Sequence, residues 1–386
     1  MHYYHAFARF VRCARAVSGL VGILPTTMIS KRPINRDRST QPTAQAPVKE
    51  ALFCESAEGG KVRCTLCPHY CLIAENEEGI CKARGVRNGR LLALTYARPA
   101  SIISDEIEKK PLFHFYPGTR ALSLGSHGCN VLCGGCPNWQ ISHASPRTET
   151  TRLPVLLPDD AVAMARKHKL GGVAFTYNDP VVWIEYVHDV SLAFKEAGLY
   201  TAFITAAFLT EEALDYIAPV TDAFKYDLKA PDGNGWSRLS RVKDPEPTFA
   251  MAVRAKEVHG CHMEVVSNIV PGINDDDASL RAMAARVLEG FGASTPWHVT
   301  RFLPEFELSY ITPTPIRTLE HGIELGKKAG LRFVYIGNVP GHAARDTICP
   351  NCGRTNIRRG EPRVEFLCVR DGRCAACGED LDLVGV

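Results

Sequence analysis

The sequence predicts an α/β protein built on a partial or nearly complete (β/α) barrel, with a small cysteine-rich metal-binding module at each end of the chain. Three observations predict it. Short apolar runs alternate with amphipathic segments through the middle of the chain, most cysteines fall into tight clusters, and 386 residues are ample to bury a large core.

In chain order, the first 36 residues hold six lysines or arginines and no acid. A Ser/Thr/Gln/Pro-rich stretch follows, so residues 1–48 read as a disordered leader. Its apolar run at 16–24 is too short to span a bilayer. Residues 49–95 read as a cysteine-bearing module with glycine-rich turns. Over 96–345, apolar runs at 121–126, 172–177, 200–206, 223–229, 263–271, 297–303 and 331–337 predict strands. Segments at 158–169, 181–197, 211–217, 248–259, 276–288 and 315–329 have helical spacing, with Gly198, Gly260 and Gly330 just past three ends. Strands alternating with helices of this length make a parallel sheet, whose active residues gather at the strand C-termini. Residues 346–386 read as a zinc-ribbon-like module.

Charge is nearly balanced: 45 basic against 42 acidic residues leave +3, so no strong field draws the chain to nucleic acid or a membrane. A small or protein substrate is expected instead. Of 15 cysteines, eleven lie in three clusters whose spacings are too short for ordinary disulfides but suit convergence on metal. That usage implies a reducing, cytoplasmic compartment. Cys13, Cys54, Cys261 and Cys368 read as ordinary thiols.

The central cluster is Gly125-Ser126-His127-Gly128-Cys129-Asn130-Val131-Leu132-Cys133-Gly134-Gly135-Cys136, a C-x3-C-x2-C run directly after an apolar strand. Three thiolates from one loop can hold three irons of a [4Fe-4S] cluster, while the glycines let backbone wrap around it. The fourth iron stays open for a cofactor or substrate. A zinc site short of one ligand is the plain alternative.

This run in this location resembles the radical S-adenosylmethionine (radical SAM) superfamily. The resemblance implies a TIM-like barrel of the radical SAM type, a [4Fe-4S] cluster on Cys129, Cys133 and Cys136, and S-adenosyl-L-methionine on the open iron. It also implies reductive cleavage of that cofactor to a 5'-deoxyadenosyl radical that abstracts hydrogen, driven by a flavodoxin- or ferredoxin-type electron donor. More narrowly, Glu108 to Gly118, Pro137-Asn138-Trp139-Gln140-Ile141-Ser142, Phe175-Thr176-Tyr177-Asn178-Asp179-Pro180, Tyr226-Asp227-Leu228-Lys229 and Tyr335-Ile336-Gly337-Asn338-Val339-Pro340-Gly341-His342 resemble the AmmeMemoRadiSam-system radical enzymes, relatives of pyruvate formate-lyase activating enzyme. An oxidoreductase-type radical enzyme acting on a protein or peptide partner is the first reading. Activation of a glycyl-radical enzyme is the close alternative, and a non-catalytic electron carrier or zinc-ribbon scaffold is the alternative from another class.

Asp227 and Lys229 end a strand on the expected catalytic rim, where they can address a cofactor's amino acid part or ribose. Asn178 and Asp179 can bind its α-amino group or cap the next helix, and Pro271 and Gly272 permit a close backbone approach to adenine. His298, Arg301 and His342 are candidate substrate-side groups. Two departures from the superfamily pattern stand out: Gly135 replaces a customary aromatic, and Thr205-Ala206-Ala207 replaces Thr-Asn-Gly, removing polar contacts there.

Two C-x2-C-Gly knuckles, Cys349/Cys352 and Cys374/Cys377, have zinc-ribbon spacing and four thiolates for one zinc. The N-terminal set Cys64, Cys67, Cys71 and Cys81 suits zinc or an iron-sulfur cluster; its glycine-poor first loop, unlike a ferredoxin run, leans to zinc.

Overall fold

The computed structural model describes residues 47–146, 153–360 and 363–386. Nearly all of the expected leader, residues 1–46, lies outside them.

Eight strands form the main sheet: β1 Ser101–Glu106, β2 Arg120–Gly125, β3 Gly172–Phe175, β4 Tyr200–Thr205, β5 Ala223–Asp227, β6 His262–Ile269, β7 Trp297–Arg301 and β8 Val334–Gly337. They lie side by side in chain order, β2 to β8 all parallel and β1 antiparallel to β2. No pairing joins β8 to β1 among the described residues, so the sheet is an open, partial barrel. Helices Pro158–Lys167, Ile184–Glu196, Glu211–Ile217, Glu246–Glu257, Asp277–Phe291 and Ile316–Ala329 return the chain between strands. The parallel strands read as unbroken apolar runs because helices cover one face and the barrel interior the other. Phe203, Phe224, Val265, Trp297, Leu280 and Val287 accordingly share one buried core.

The N-terminal module pairs Cys54–Ala57, Lys61–Cys64 and Leu72–Ile73 in a small antiparallel sheet, beside a hairpin of Arg84–Arg87 and Arg90–Ala93. Its Val62, Leu66, Ile73 and Val86 belong to the same buried core as the barrel strands. The C-terminal module pairs Thr347–Ile348, Thr355–Arg359 and Val364–Leu367, then Val369–Arg370 with Arg373–Cys374. Among the described residues, no helix is long and apolar enough to cross a membrane.

Candidate functional site

The loop after β2 carries Cys129, Cys133 and Cys136 into a cavity of about 290 Å³ at the C-terminal ends of the strands. Asn138, Thr176, Asn178, Asp179, Thr205, Lys225, Asp227, Lys229 and Asn268 contribute polar groups to its wall. Every strand from β2 to β7 ends here, the convergence that a parallel sheet gives its C-terminal edge.

Hydrogen bonds fix the cysteine loop from several sides. Asn178, on the turn after β3, accepts from the Ser126 N–H at 3.0 Å and donates to Ser126 Oγ at 2.9 Å and to the Gly128 carbonyl at 2.8 Å. That turn is sharp because Tyr177 adopts φ +76°, a left-handed conformation that costs a non-glycine residue free energy and is held by its neighbours. One such neighbour is Asn138, which donates to the Tyr177 carbonyl at 3.0 Å. The Asp179 N–H donates to Cys129 Sγ at 3.3 Å, and the Ser142 hydroxyl lies 3.2 Å from Cys136 Sγ. Such donors to sulfur stabilise thiolate charge in a cluster.

The Asp179 carboxylate does cap the following 3-10 turn, accepting from Val181 N at 3.2 Å, and it also accepts from Thr205 Oγ1 at 2.9 Å and Ala206 N at 2.8 Å. Contrary to the expectation that polar contacts are removed there, the segment Thr205-Ala206-Ala207 retains them through the Thr205 hydroxyl and the Ala206 amide. Burial pushes the Asp179 carboxyl up, against the pull of those donors. In the same wall, burial opposes the Asp227 charge, but Lys225 and Lys229 outweigh it and hold the carboxyl below its usual value. Lys225 contacts Asp227 directly and Lys229 lies 3.4 Å from it. Burial likewise opposes the Lys229 charge, and Cys133 with Asp227 overcomes it. Burial lifts Cys133 to about 11, against the opposing pull of the Lys229 ammonium beside it.

Asn178, Asp179, Asp227 and Lys229 are therefore brought together with the three cysteines. Pro271 and Gly272 are not in the cavity wall; the preceding Val270 is. Gly272 turns the chain at φ +74° and donates to Asp275 Oδ1 at 2.8 Å. His298 is also outside the wall: it is fully buried toward the start of β7, with Nε2 2.7 Å from Glu264 Oε2. Arg301 donates to the Thr314 carbonyl at 2.9 Å, and His342 caps the 3-10 turn Ala343–Arg345 and pairs with Glu320 at 3.2 Å.

Sequence reasoning missed Phe302 and Asn274. A Cβ on Gly135 would sit 3.0 Å from Phe302 Cε2 and 3.2 Å from Leu308 Cδ1, so the space of the missing aromatic is occupied from the loop after β7. Asn274 is buried, accepting from Val270 N at 2.6 Å and donating to the Lys229 carbonyl at 2.7 Å, which ties the β5 and β6 ends. Neither has a local sequence signal, because each depends on contacts between distant strand ends.

In the C-terminal module the four sulfurs of Cys349, Cys352, Cys374 and Cys377 all lie within 4.8 Å of one another. Cys349 and Cys377 stand 3.6 Å apart, and Cys352 and Cys374 3.7 Å. This is a metal-binding group. Four sulfurs about 2.3 Å from one zinc stand roughly 3.8 Å apart, so the donor set fits a tetrahedral ion.

A seven-stranded parallel half-barrel with a three-cysteine loop at its C-terminal edge defines the class of protein. The model of the Radical SAM superfamily matches residues 124–287, which hold the cysteine loop and strands β3 to β6. An uncharacterized protein of Methanocaldococcus jannaschii is 38% identical over 339 residues, spanning 87% of this chain and all of its own length. The chain belongs to the radical SAM superfamily. Similar solved structures include a domain of pyruvate-formate lyase-activating enzyme from Bacteroides vulgatus (17% identity, 44% of this chain and 99% of that one, TM-score 0.39). Another is a radical SAM methyltransferase from Sphaerobacter thermophilus (14% identity, 75% of this chain and 77% of that one, TM-score 0.45).

Proposed function

We propose that this chain is a radical-generating enzyme that holds a [4Fe-4S] cluster on Cys129, Cys133 and Cys136 and S-adenosyl-L-methionine beside it, and abstracts hydrogen from a protein or peptide partner. The observation that carries the reading is the gathering of three cysteines from one loop with Asp227 and Lys229 in the wall of a single cavity. The donor set fits: no three of these groups converge within 4.8 Å as the zinc-type quartet does, and a cluster that puts each thiolate on a different iron needs that wider spread. When bound, cluster and cofactor supply one-electron cleavage of the sulfonium and a carbon-centred radical.

The chain's own residues do the rest. Asn178 and the Asp179 amide hold the loop and its sulfurs. Asp227 and Lys229 offer a carboxylate and an ammonium for the amino acid part or ribose of the cofactor, and Phe302 with Leu308 offers an apolar wall where Gly135 gives none. At about 290 Å³ the cavity is at the small end of ligand pockets, which run from roughly 300 to 1,000 Å³, so one cofactor fills it. A substrate then meets the site at its mouth. The loop beside it exposes Leu303 and Tyr310, and Trp139 stacks on Phe306 at 5.0 Å, an apolar rim suited to a polypeptide. No disulfide joins the described cysteines, which supports a cytoplasmic setting with a flavodoxin- or ferredoxin-type reductant. Zinc is the proposed ion of the C-terminal quartet.

The test is product analysis. Anaerobically reconstituted, reduced protein is expected to release 5'-deoxyadenosine from S-adenosyl-L-methionine, and Cys129→Ala to release none. Absence of that product from the unsubstituted protein rejects the reading.

A further inference from the structure

Outside the site, Cys64, Cys67, Cys71 and Cys81 line one enclosed pocket, together with His69, Arg84 and Asn130. The strand Lys61–Cys64, the turn after it and the loop before Arg84 deliver them. Cys64 and Cys67 are buried and Cys71 and Cys81 half-buried. Four soft donors facing one interior space, with no carboxylate among them, make a metal site. The sulfur spread discriminates between its possible occupants. Among the described residues only Cys349, Cys352, Cys374 and Cys377 bring their ligand atoms within 4.8 Å of one another. The N-terminal four surround a common pocket without that convergence, as do Cys129, Cys133 and Cys136.

We propose that the N-terminal quartet holds a second [4Fe-4S] cluster, fully ligated by Cys64, Cys67, Cys71 and Cys81. One tetrahedral ion requires its sulfurs roughly 3.8 Å apart, whereas a four-iron cluster keeps each thiolate on its own corner. The C-terminal quartet has the single-ion geometry, and the N-terminal quartet does not share it. Arg84, whose charge is met by Glu185, turns its Nη1 toward Cys64 Sγ at 3.5 Å as a donor to that sulfur. The site adjoins the catalytic loop directly: the Cys129 N–H donates to the Cys81 carbonyl at 3.1 Å, and the Asn130 carbonyl lies 2.8 Å from His69 Nε2. With four protein thiolates no iron is left open, so this cluster takes no small-molecule ligand.

Metal analysis of the whole chain, with Mössbauer spectroscopy to count cluster iron, tests this. The unsubstituted protein is expected to carry about eight cluster irons and one zinc, and the Cys129→Ala/Cys133→Ala/Cys136→Ala variant about four irons and one zinc. Four cluster irons with two zinc ions in the unsubstituted protein, which needs no variant to fold, overturn the proposal. An iron-free triple variant carrying two zinc ions overturns it as well. The proposal is independent of the radical reading: a protein whose only four irons persist in the triple variant keeps the second cluster and loses the catalytic one.

Discussion

Arg84 leaves the N-terminal module to meet Glu185 on the helix Ile184–Glu196, and both side chains are essentially removed from water, 1% and 0% exposed. Glu185 Oε1 also accepts from Leu52 N at 2.8 Å, so one carboxylate fastens two segments of the module to the barrel. Burying such a pair costs desolvation that its own attraction barely offsets, but removing one partner strands the other charge in the interior. Glu185→Ala is therefore expected to destabilise the protein by about 3–5 kcal/mol, read from denaturant unfolding. The paired change Arg84→Met/Glu185→Leu removes both charges and should recover much of that loss. If Glu185→Ala unfolds within about 0.5 kcal/mol of the parent, the pair does not fasten the module.

The cysteine loop shows at the scale of an element what holds its three cysteines in place. Gly128 adopts φ +82°, and a Cβ there would lie 2.1 Å from the Cys81 carbonyl oxygen, inside backbone of the neighbouring module. Gly128→Ala should therefore push loop and module apart and lower cluster iron on Cys129, Cys133 and Cys136. Gly260 is the matched control: it has φ +68° but open space around its Cβ position, so Gly260→Ala pays only the backbone strain and should keep its iron. Equal iron in both variants would mean that the Cys81 contact does not position the loop. The loop itself was legible in the sequence because its spacing is local and covalent. The seven parallel strands were legible too, being apolar runs, with ends displaced by a few residues: 223–229 as read against Ala223–Asp227 in the structure. The antiparallel β1 was not, since four of the six residues of Ser101–Glu106 are polar and the strand gains its place only by pairing with β2. The helix Gly233–Ser240 escaped because two glycines weaken its propensity; the Asp232 cap, accepting from Gly235 N at 2.8 Å, and the buried Trp236 make it. His298 was read toward the substrate side, but its partner Glu264 is set by the register of β6 against β7, which no single segment encodes.

Across the whole molecule, one buried polar network joins the barrel to the chain's C-terminal part. The segment between β1 and β2 passes the strand N-termini, where Phe113 N and His114 N donate to Glu264 at 2.9 and 2.7 Å, and Arg359 donates to the Phe113 carbonyl at 2.6 Å. His114 Nε2 lies 2.7 Å from Tyr335 Oη, and Val384 N donates to the His114 carbonyl at 2.8 Å. Burial pushes His114 down to about 3 from an ordinary 6.5, despite the nearby Glu264 charge, so the folded protein holds it neutral. The sign follows from proton linkage. Below pH 6.5 the unfolded chain binds a proton that the folded chain refuses, so this stabilisation is complete above 6.5 and is lost as pH falls toward 3. Glu264, held well below 4.5 because bonds from His262 and His298 outweigh the opposing effect of burial, loses its share in the same direction at still lower pH. Between pH 6 and 5, His114 alone should cost up to about 1.4 kcal/mol of unfolding free energy per pH unit. His114→Gln keeps a polar group toward Tyr335 without a titrating ring, so its stability should fall less steeply over that interval. Comparing the slopes of the two proteins by urea unfolding cancels every acid-labile contribution that both share. Parallel slopes would show that His114 is protonated alike in the folded and unfolded chain, and that the barrel floor is open enough to water to charge it.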